Sequence, residues 1–146
     1  MLSKVFAQEV PEGLRQTWID RRWRPDGNTT DILDLDFAAI RAAGYRLVLL
    51  DIDNTLVPHG TAKPDERAFD PVPRIRSAGL ECMVVSNARS ARSKRFSDRL
   101  GVDSLPYAGK PSPRGVLLAC KSKGIPPAQT VLIGDQLLTD IAAARR

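Results

Sequence analysis

The chain has one histidine, His59, and two cysteines, Cys82 and Cys120, among 146 residues. So few soft ligands leave no Cys/His cluster of the kind that holds zinc. A Ser-His-Asp triad is not a leading reading either, because His59 stands in a loop-like stretch and reads as an exposed loop residue without a catalytic part. Cys82 falls in a predicted core strand and Cys120 on the apolar face of a predicted helix. Both are expected to be small buried hydrophobes, not ligands or a disulfide. Long hydrophobic runs are also lacking: the longest is far short of the ~20 residues of a membrane span. The segment from Met1 to Val10 has no sustained apolar core for a signal peptide, so a cytoplasmic location is the default expectation. There is no zinc-finger spacing, no RNA-binding sheet motif, no glycine-lysine phosphate loop and no internal repeat.

What remains is the composition of an ordinary globular chain, with one domain over residues 1–146 expected from length. The net charge is +5. Arg89, Arg92, Lys94, Arg95 and Arg99 crowd one segment, and Arg15, Arg21, Arg22 and Arg24 another. Such clusters attract polyanions, including acidic lipid, nucleic acid and phosphorylated substrates. For the 89–99 cluster a solvated helix face explains the charges equally well. Residues 1 to about 30 form an arm of uncertain structure, with Trp18 and Trp23 among arginines and a turn at Pro25 to Asn28. Packing on the domain is the favoured reading of this arm, with an interface or peripheral membrane contact as alternatives.

From Asp36 the pattern becomes regular. A short helix over Phe37, Ile40 and Ala43 should stop at Gly44. Further helices are expected from Pro71 or Pro73 to Gly79, from about Arg89 to Leu100, from Ser112-Pro113 to Gly124, and from near Gln136. Between them lie strand-like runs at 47–50, 81–86, 104–107 and 131–134. Strands alternating with helices predict an α/β fold with a parallel sheet and right-handed crossovers.

The stretch that carries chemistry is Leu47-Val48-Leu49-Leu50 followed by Asp51-Ile52-Asp53-Asn54-Thr55-Leu56. An apolar run of this kind suits a strand covered on both faces. The two aspartates stand where it stops, at the edge where parallel sheets bind ligands. Strand alternation would point both the same way. Two carboxylates so placed repel each other unless a cation or a shared proton relieves them, and a divalent metal is the simplest relief. An isolated D-x-D more often caps a turn. Three further pieces in order shift the balance: Ser86-Asn87 after the second strand, Lys110-Pro111 before a helix, and Gly134-Asp135 after the last strand, with Asp140 shortly beyond.

In these strings the chain resembles the haloacid dehalogenase (HAD) superfamily of phosphohydrolases, and within it the subfamily IIIA, YqeG-type phosphatases. Asp51-Ile52-Asp53-Asn54-Thr55-Leu56-Val57-Pro58 is similar to the first family motif and Ser86-Asn87-Ala88 to the second. Lys110-Pro111 matches the third, and Gly134-Asp135-Gln136-Leu137-Leu138-Thr139-Asp140 the fourth. The resemblance covers roughly residues 30 to 146. It implies a three-layer Rossmann-like fold around a central parallel sheet, and a Mg²⁺-dependent phosphomonoester hydrolase working through an aspartyl-phosphate. Family members usually continue into another strand, so the C-terminal strand is expected to be missing here. The intervals 54–70 and 88–110 are too short for a folded cap, and a capless, open site is expected.

The resemblance also implies roles. Asp51 would be the nucleophile and Asp53 the general acid and base, with a raised pKa from Asp51 and Asp135. Thr55 would orient Asp53. Mg²⁺ would be held by Asp51, the backbone carbonyl of Asp53, and Asp135. Ser86, with Asn87 beside it, would bind the phosphoryl group, and Lys110 would neutralise its charge. Asp140 would support Lys110 or the metal shell. An open site suits a large or lipid-borne phosphorylated substrate, and phosphatidylglycerophosphate is the first specific candidate. Nucleic acid is not an expected partner, and the oligomeric state is open. Two other readings are compatible with the sequence: a non-catalytic scaffold whose basic surface holds RNA or a protein partner, and a phosphotransferase using an acceptor other than water.

Overall fold

The computed structural model describes residues 4–7, 27–135 and 140–145. Its strands are β1 (Lys4–Ala7), β2 (Gly27–Asn28), β3 (Leu47–Leu50), β4 (Glu81–Val85), β5 (Asp103–Leu105) and β6 (Thr130–Ile133). They form one sheet in the order β2-β1-β6-β3-β4-β5, parallel at every pairing. Its helices are α1 (Phe37–Ala42), α2 (Pro71–Ser77), α3 (Ser90–Leu100), α4 (Arg114–Lys123) and α5 (Ala142–Arg145).

Strand alternation divides the core into two halves. Val48 and Leu50 of β3 join Val84 of β4 and Val131 and Ile133 of β6 against α1, α2 and α3, through Phe37, Ile40, Val72, Ile75 and Phe96. Leu47 and Leu49 join Met83, Val85 and Leu132 against α4 and α5, through Val116, Ala119, Cys120, Ala143 and Ala144. All four residues of β3 are fully buried, which is why that strand reads as an unbroken apolar run. Each such side chain contributes roughly 1.5–3 kcal/mol relative to an exposed one. This is the expected three-layer, Rossmann-like α/β arrangement.

Local signals set the element ends. The Asp36 side chain accepts from Ala39 N–H and caps α1, and Pro71 opens α2. Gly101 and Gly124 close α3 and α4 in left-handed conformation (φ 66° and 63°). The two cysteines are buried and free, as expected. Residues 54–70 hold a loop with a short 3₁₀ turn at Arg67–Phe69, and 88–110 hold α3 and β5, so neither interval forms a cap.

Among the described residues no strand follows β6. Next to β6 lies β1, pairing Lys4 with Val131, Val5 with Leu132 and Phe6 with Ile133. Nothing in the composition of residues 1–30 signalled this strand, because a four-residue element gives too little periodicity to read. Trp18, Trp23 and the arginines at 15, 21, 22 and 24 lie outside the described residues. So does the expected start of the last helix at Gln136. Among the described residues, no helix is long and apolar enough to cross a membrane.

Candidate active site

The four sequence motifs converge at the carboxyl edge of β3, β4 and β6. Asp51 directly follows β3, tied to the sheet by its N–H donating to Ile133 C=O at 3.0 Å. It continues the Leu47–Leu49 side of the alternation and faces the α4/α5 layer. There Lys110 donates from Nζ to Asp51 Oδ1 at 3.0 Å and to Asp140 Oδ1. Asp51, Lys110 and Asp140 are all buried. Carboxylate oxygens of Asp51, Asp135 and Asp140 lie within 4.8 Å of one another.

Burial pushes the Asp51 carboxyl above its ordinary range, with Lys110 pulling against it. Burial alone would lower Lys110, but the charges of Asp140 and Asp51 more than reverse this and keep it an ammonium. Asp135 is fixed through Oδ2, which accepts from Asn54 Nδ2 at 3.0 Å. Its Oδ1 is buried without a hydrogen-bond partner among the described residues. Three converging carboxylates, one holding an orphaned oxygen, are the hard-oxygen donor set that Mg²⁺ takes. The residues present therefore fit the implied metal.

Asn87 exchanges two hydrogen bonds with the backbone of Lys110, Nδ2 to the carbonyl at 2.9 Å and Lys110 N–H to Oδ1 at 3.0 Å. It fixes the lysine rather than offering its side chain to a substrate. Ser86 is buried, and its Oγ accepts from Ala88 N–H at 3.1 Å. Gly134 explains how Asp140 comes so near: a Cβ there would stand 2.3 Å from Asp140 Cγ. Gly115, at the start of α4, plays a like part, since its Cβ would meet Ala108 C=O at 2.2 Å.

Asp53 departs from expectation. It does not point with Asp51. The strand ends at Leu50, and Ile52 C=O then accepts from the N–H groups of Thr55, Leu56 and Val57, with Asn54 at φ 54°. This turn swings Asp53 toward α3. Arg92 meets it there with a bidentate pair, Nη1 to Oδ2 and Nη2 to Oδ1, both 2.8 Å. Gly60 N–H adds a bond at 2.9 Å, and His59 Nδ1 lies 3.5 Å away. Partial burial raises the Asp53 carboxyl, but the Arg92 hydrogen bonds, the Gly60 bond and the Arg92 charge outweigh it. The net displacement is below 3.8, not the upward one expected. Nor does Thr55 orient Asp53: its Oγ1 is buried with no partner among the described residues. Arg92 does that instead.

Arg92 and Asn54 were missed by the sequence reading. Arg92 looks like one charge in a basic helix face. The available signal was its spacing: four residues before buried Phe96, it lies on the inward side of α3, and its guanidinium sits 5.4 Å from that ring. Asn54 carried the signal of an Asx residue in a turn needing positive φ.

The family model for haloacid dehalogenase-like hydrolases matches residues 68–146, which contain the Ser86, Lys110, Asp135 and Asp140 motifs. The probable phosphatase YqeG of Bacillus subtilis is 28% identical over 122 residues, 84% of this chain and 71% of its own length. The chloroplastic phosphatidylglycerophosphate phosphatase 1 of Chlamydomonas reinhardtii is 29% identical over 133 residues, 80% of this chain, which spans only 46% of that enzyme. A crystal structure of a hypothetical protein from Xanthomonas campestris superposes with a TM-score of 0.55 at 22% identity, covering 73% of this chain and 64% of its own. It shares the fold. With more than half of its length matched by the family model and the motifs gathered at one sheet edge, the chain belongs to the haloacid dehalogenase-like hydrolases.

Proposed function

We propose that the protein is a Mg²⁺-dependent phosphomonoester hydrolase in which Asp51 is the nucleophile. The observation that carries this reading is the convergence of Asp51, Asp135 and Asp140 around the Lys110 ammonium at the carboxyl edge of the sheet. Asp51, Asp135 and the backbone carbonyl of Asp53 would hold the metal, with Asp140 beside them. Bound there, Mg²⁺ would offset the negative charge that an anionic nucleophile and an anionic phosphate bring together.

The Asp51 carboxylate attacks phosphorus, the bond to the substrate oxygen breaks, and an aspartyl-phosphate forms. Asp53 would serve the departing alcohol oxygen as acid and the hydrolysing water as base, which requires it to leave the Arg92 pair that favours its ionised form. Ser86 Oγ accepts from Ala88 N–H, so its own proton is available to a phosphoryl oxygen. Lys110 stays charged and stabilises the transferring group electrostatically.

Phosphatidylglycerophosphate is the first candidate substrate. The capless edge of the sheet, the net charge of +5 and the activity for which the algal relative is named support it, and they suit a cytoplasmic protein touching a membrane peripherally. Phosphate release from p-nitrophenyl phosphate and from this lipid, with Mg²⁺ or EDTA, tests the reading. Turnover that needs the metal and disappears in Asp51→Asn with the fold retained supports it. Metal-independent turnover, or turnover surviving that substitution, refutes it. Transfer to an added alcohol in place of water would make the same intermediate serve a phosphotransferase.

A further inference from the structure

The site contains two cations in very different situations. Lys110 has a side chain 1% exposed and is paired with both Asp51 and Asp140. Arg92 has a side chain 17% exposed, and the Asp53 carboxylate it holds is 15% exposed. Arg92 is anchored independently of Asp53, since its Nε donates to Thr61 C=O at 2.8 Å and its guanidinium lies against Phe96. Its two Nη atoms are thus preset as a fork on the Asp53 carboxylate. One turn along α3, Arg95 leans on the same loop, Nε to Ala62 C=O at 3.1 Å. Lys63, Arg89 and Arg95 are exposed around it.

On the reading above, Asp53 has to reach the leaving oxygen, so the fork that grips it stands one guanidinium from that carboxylate's path to the leaving alcohol. An anion carried by the substrate can take the place of the Asp53 carboxylate on the fork.

We propose that Arg92, backed by Arg95 and Lys63, forms a second anion subsite on the leaving-group side, selecting phosphomonoesters whose alcohol carries another anionic group, such as a phosphodiester. The inference rests on the phosphatase reading and adds a substrate class to it. Such a diester can come from a soluble molecule or from a lipid headgroup, and the chemistry at Arg92 is the same.

The test compares three substrates on the full chain with Mg²⁺: glycerol 3-phosphate, which lacks a second anion; glycerophosphoglycerol phosphate, which has one in solution; and phosphatidylglycerophosphate in phosphatidylcholine vesicles. The wild type should prefer the second and third over the first by about 10- to 100-fold in kcat/KM, the worth of one charge-assisted pair. Arg92→Met should bring that ratio to within about threefold of unity, and Arg92→Lys, keeping charge but not the fork, should fall between. Preference for both anionic substrates supports the subsite; preference for the vesicle alone, with the soluble diester no better than glycerol 3-phosphate, means that the bilayer and not the anion is selected, and overturns it. Equal losses on all three in Arg92→Met would mean a structural pin between α3 and the 59–62 loop, and would overturn it. If Arg92→Met does not fold, exposed Arg95→Met should still shrink the ratio, and an unchanged ratio counts against the subsite. Failure of the phosphatase reading appears separately, as absence of Asp51-dependent turnover. In that case calorimetric titration with the diester glycerophosphoglycerol decides: about tenfold weaker binding to Arg92→Met supports the subsite, and equal binding refutes it.

Discussion

Gly134→Ala is the substitution that most directly probes how the site is built. A Cβ at this position would lie 2.3 Å from Asp140 Cγ, 2.5 Å from Oδ2 and 2.8 Å from Cβ. Real Cβ contacts essentially never fall below 3.0 Å, so the Asp140 carboxyl must retreat by about 0.7 Å or more. Asp140 cannot move freely, because Oδ1 is bound to Lys110 in a buried pair. Overpacking of this kind costs about 1–3 kcal/mol, which at this chain length lowers Tm by roughly 3–10 °C. The catalytic consequence is larger. Lys110 must follow Asp140 or lose it, and a misplacement near 1 Å in a reacting constellation costs about 10²-fold in rate. The assay is a pair: thermal unfolding by circular dichroism, and kcat with a soluble phosphomonoester. A double-mutant cycle with Asp140→Ala sharpens it. Removing the carboxyl removes the two closest contacts, so Gly134→Ala should cost at most about 1 kcal/mol in that background. A Gly134→Ala protein with wild-type Tm and kcat, or costs that add without coupling, would refute the account of Gly134 as the space for Asp140.

Four further outcomes follow from the same geometry. Asn87→Ala removes both hydrogen bonds to the Lys110 backbone; it should cost about 1–3 kcal/mol in urea denaturation and lower kcat more than it raises KM. Gly115→Ala drives a Cβ into the Ala108 carbonyl at 2.2 Å, a backbone obstacle that cannot rotate away, so a loss of about 1–3 kcal/mol is expected in the same assay. The Asp53 carboxyl, with Arg92 outweighing burial, is held below its unfolded value of 3.8. Its pairing therefore stabilises the fold above about pH 4, and that contribution is lost as pH falls through the folded value; in Mg²⁺-free urea titrations the gap between wild type and Arg92→Met should be wide at pH 7 and close toward pH 3. Burial raises the Cys82 thiol to about 11, so it should resist a thiol reagent at pH 8 in the native state and react on unfolding.

What could be read from the sequence was what repeats or stands alone. β3 announces itself because all its residues are buried on both faces, and Gly79, Gly101 and Gly124 mark helix ends because each needs positive φ. Asp51, Lys110, Asp135 and Asp140 were legible as motifs, and the structure brings them together. The placement of Asp53 was not legible. Alternation predicts its direction only while the strand lasts, and the chain turns at Ile52 through hydrogen bonds that no side-chain pattern encodes. Arg92 was legible only in part: its spacing to Phe96 turns it to the inward side of its helix, but its partner, a carboxylate 39 residues away in sequence, leaves no local pattern. β1 depends on pairing with β6 across more than a hundred residues, a contact that local periodicity cannot report.

The charges of the site add a final argument. Asp51, Asp53, Asp135 and Asp140 bring four carboxylates to one sheet edge, against the two cations Lys110 and Arg92. Arg92 answers only Asp53, so the inner cluster is Asp51, Asp135 and Asp140 around one ammonium, two negative charges in excess. In a buried setting that excess must be relieved by protons or by a cation, and burial already pushes the Asp51 carboxyl upward. A dication would cancel the excess and, on the proposed mechanism, favour the ionised Asp51 carboxylate. The two alternatives respond oppositely to Mg²⁺. If protons relieve the cluster, Tm at pH 7 should be insensitive to the ion. If a dication does, millimolar Mg²⁺ should raise Tm at pH 7 by mass action, the rise should fade toward pH 4 as protons compete, and Asp135→Asn should abolish it. A Tm unmoved by Mg²⁺ at pH 7, with the wild type folded, would leave the cluster as a proton-sharing site and remove the metal from the mechanism.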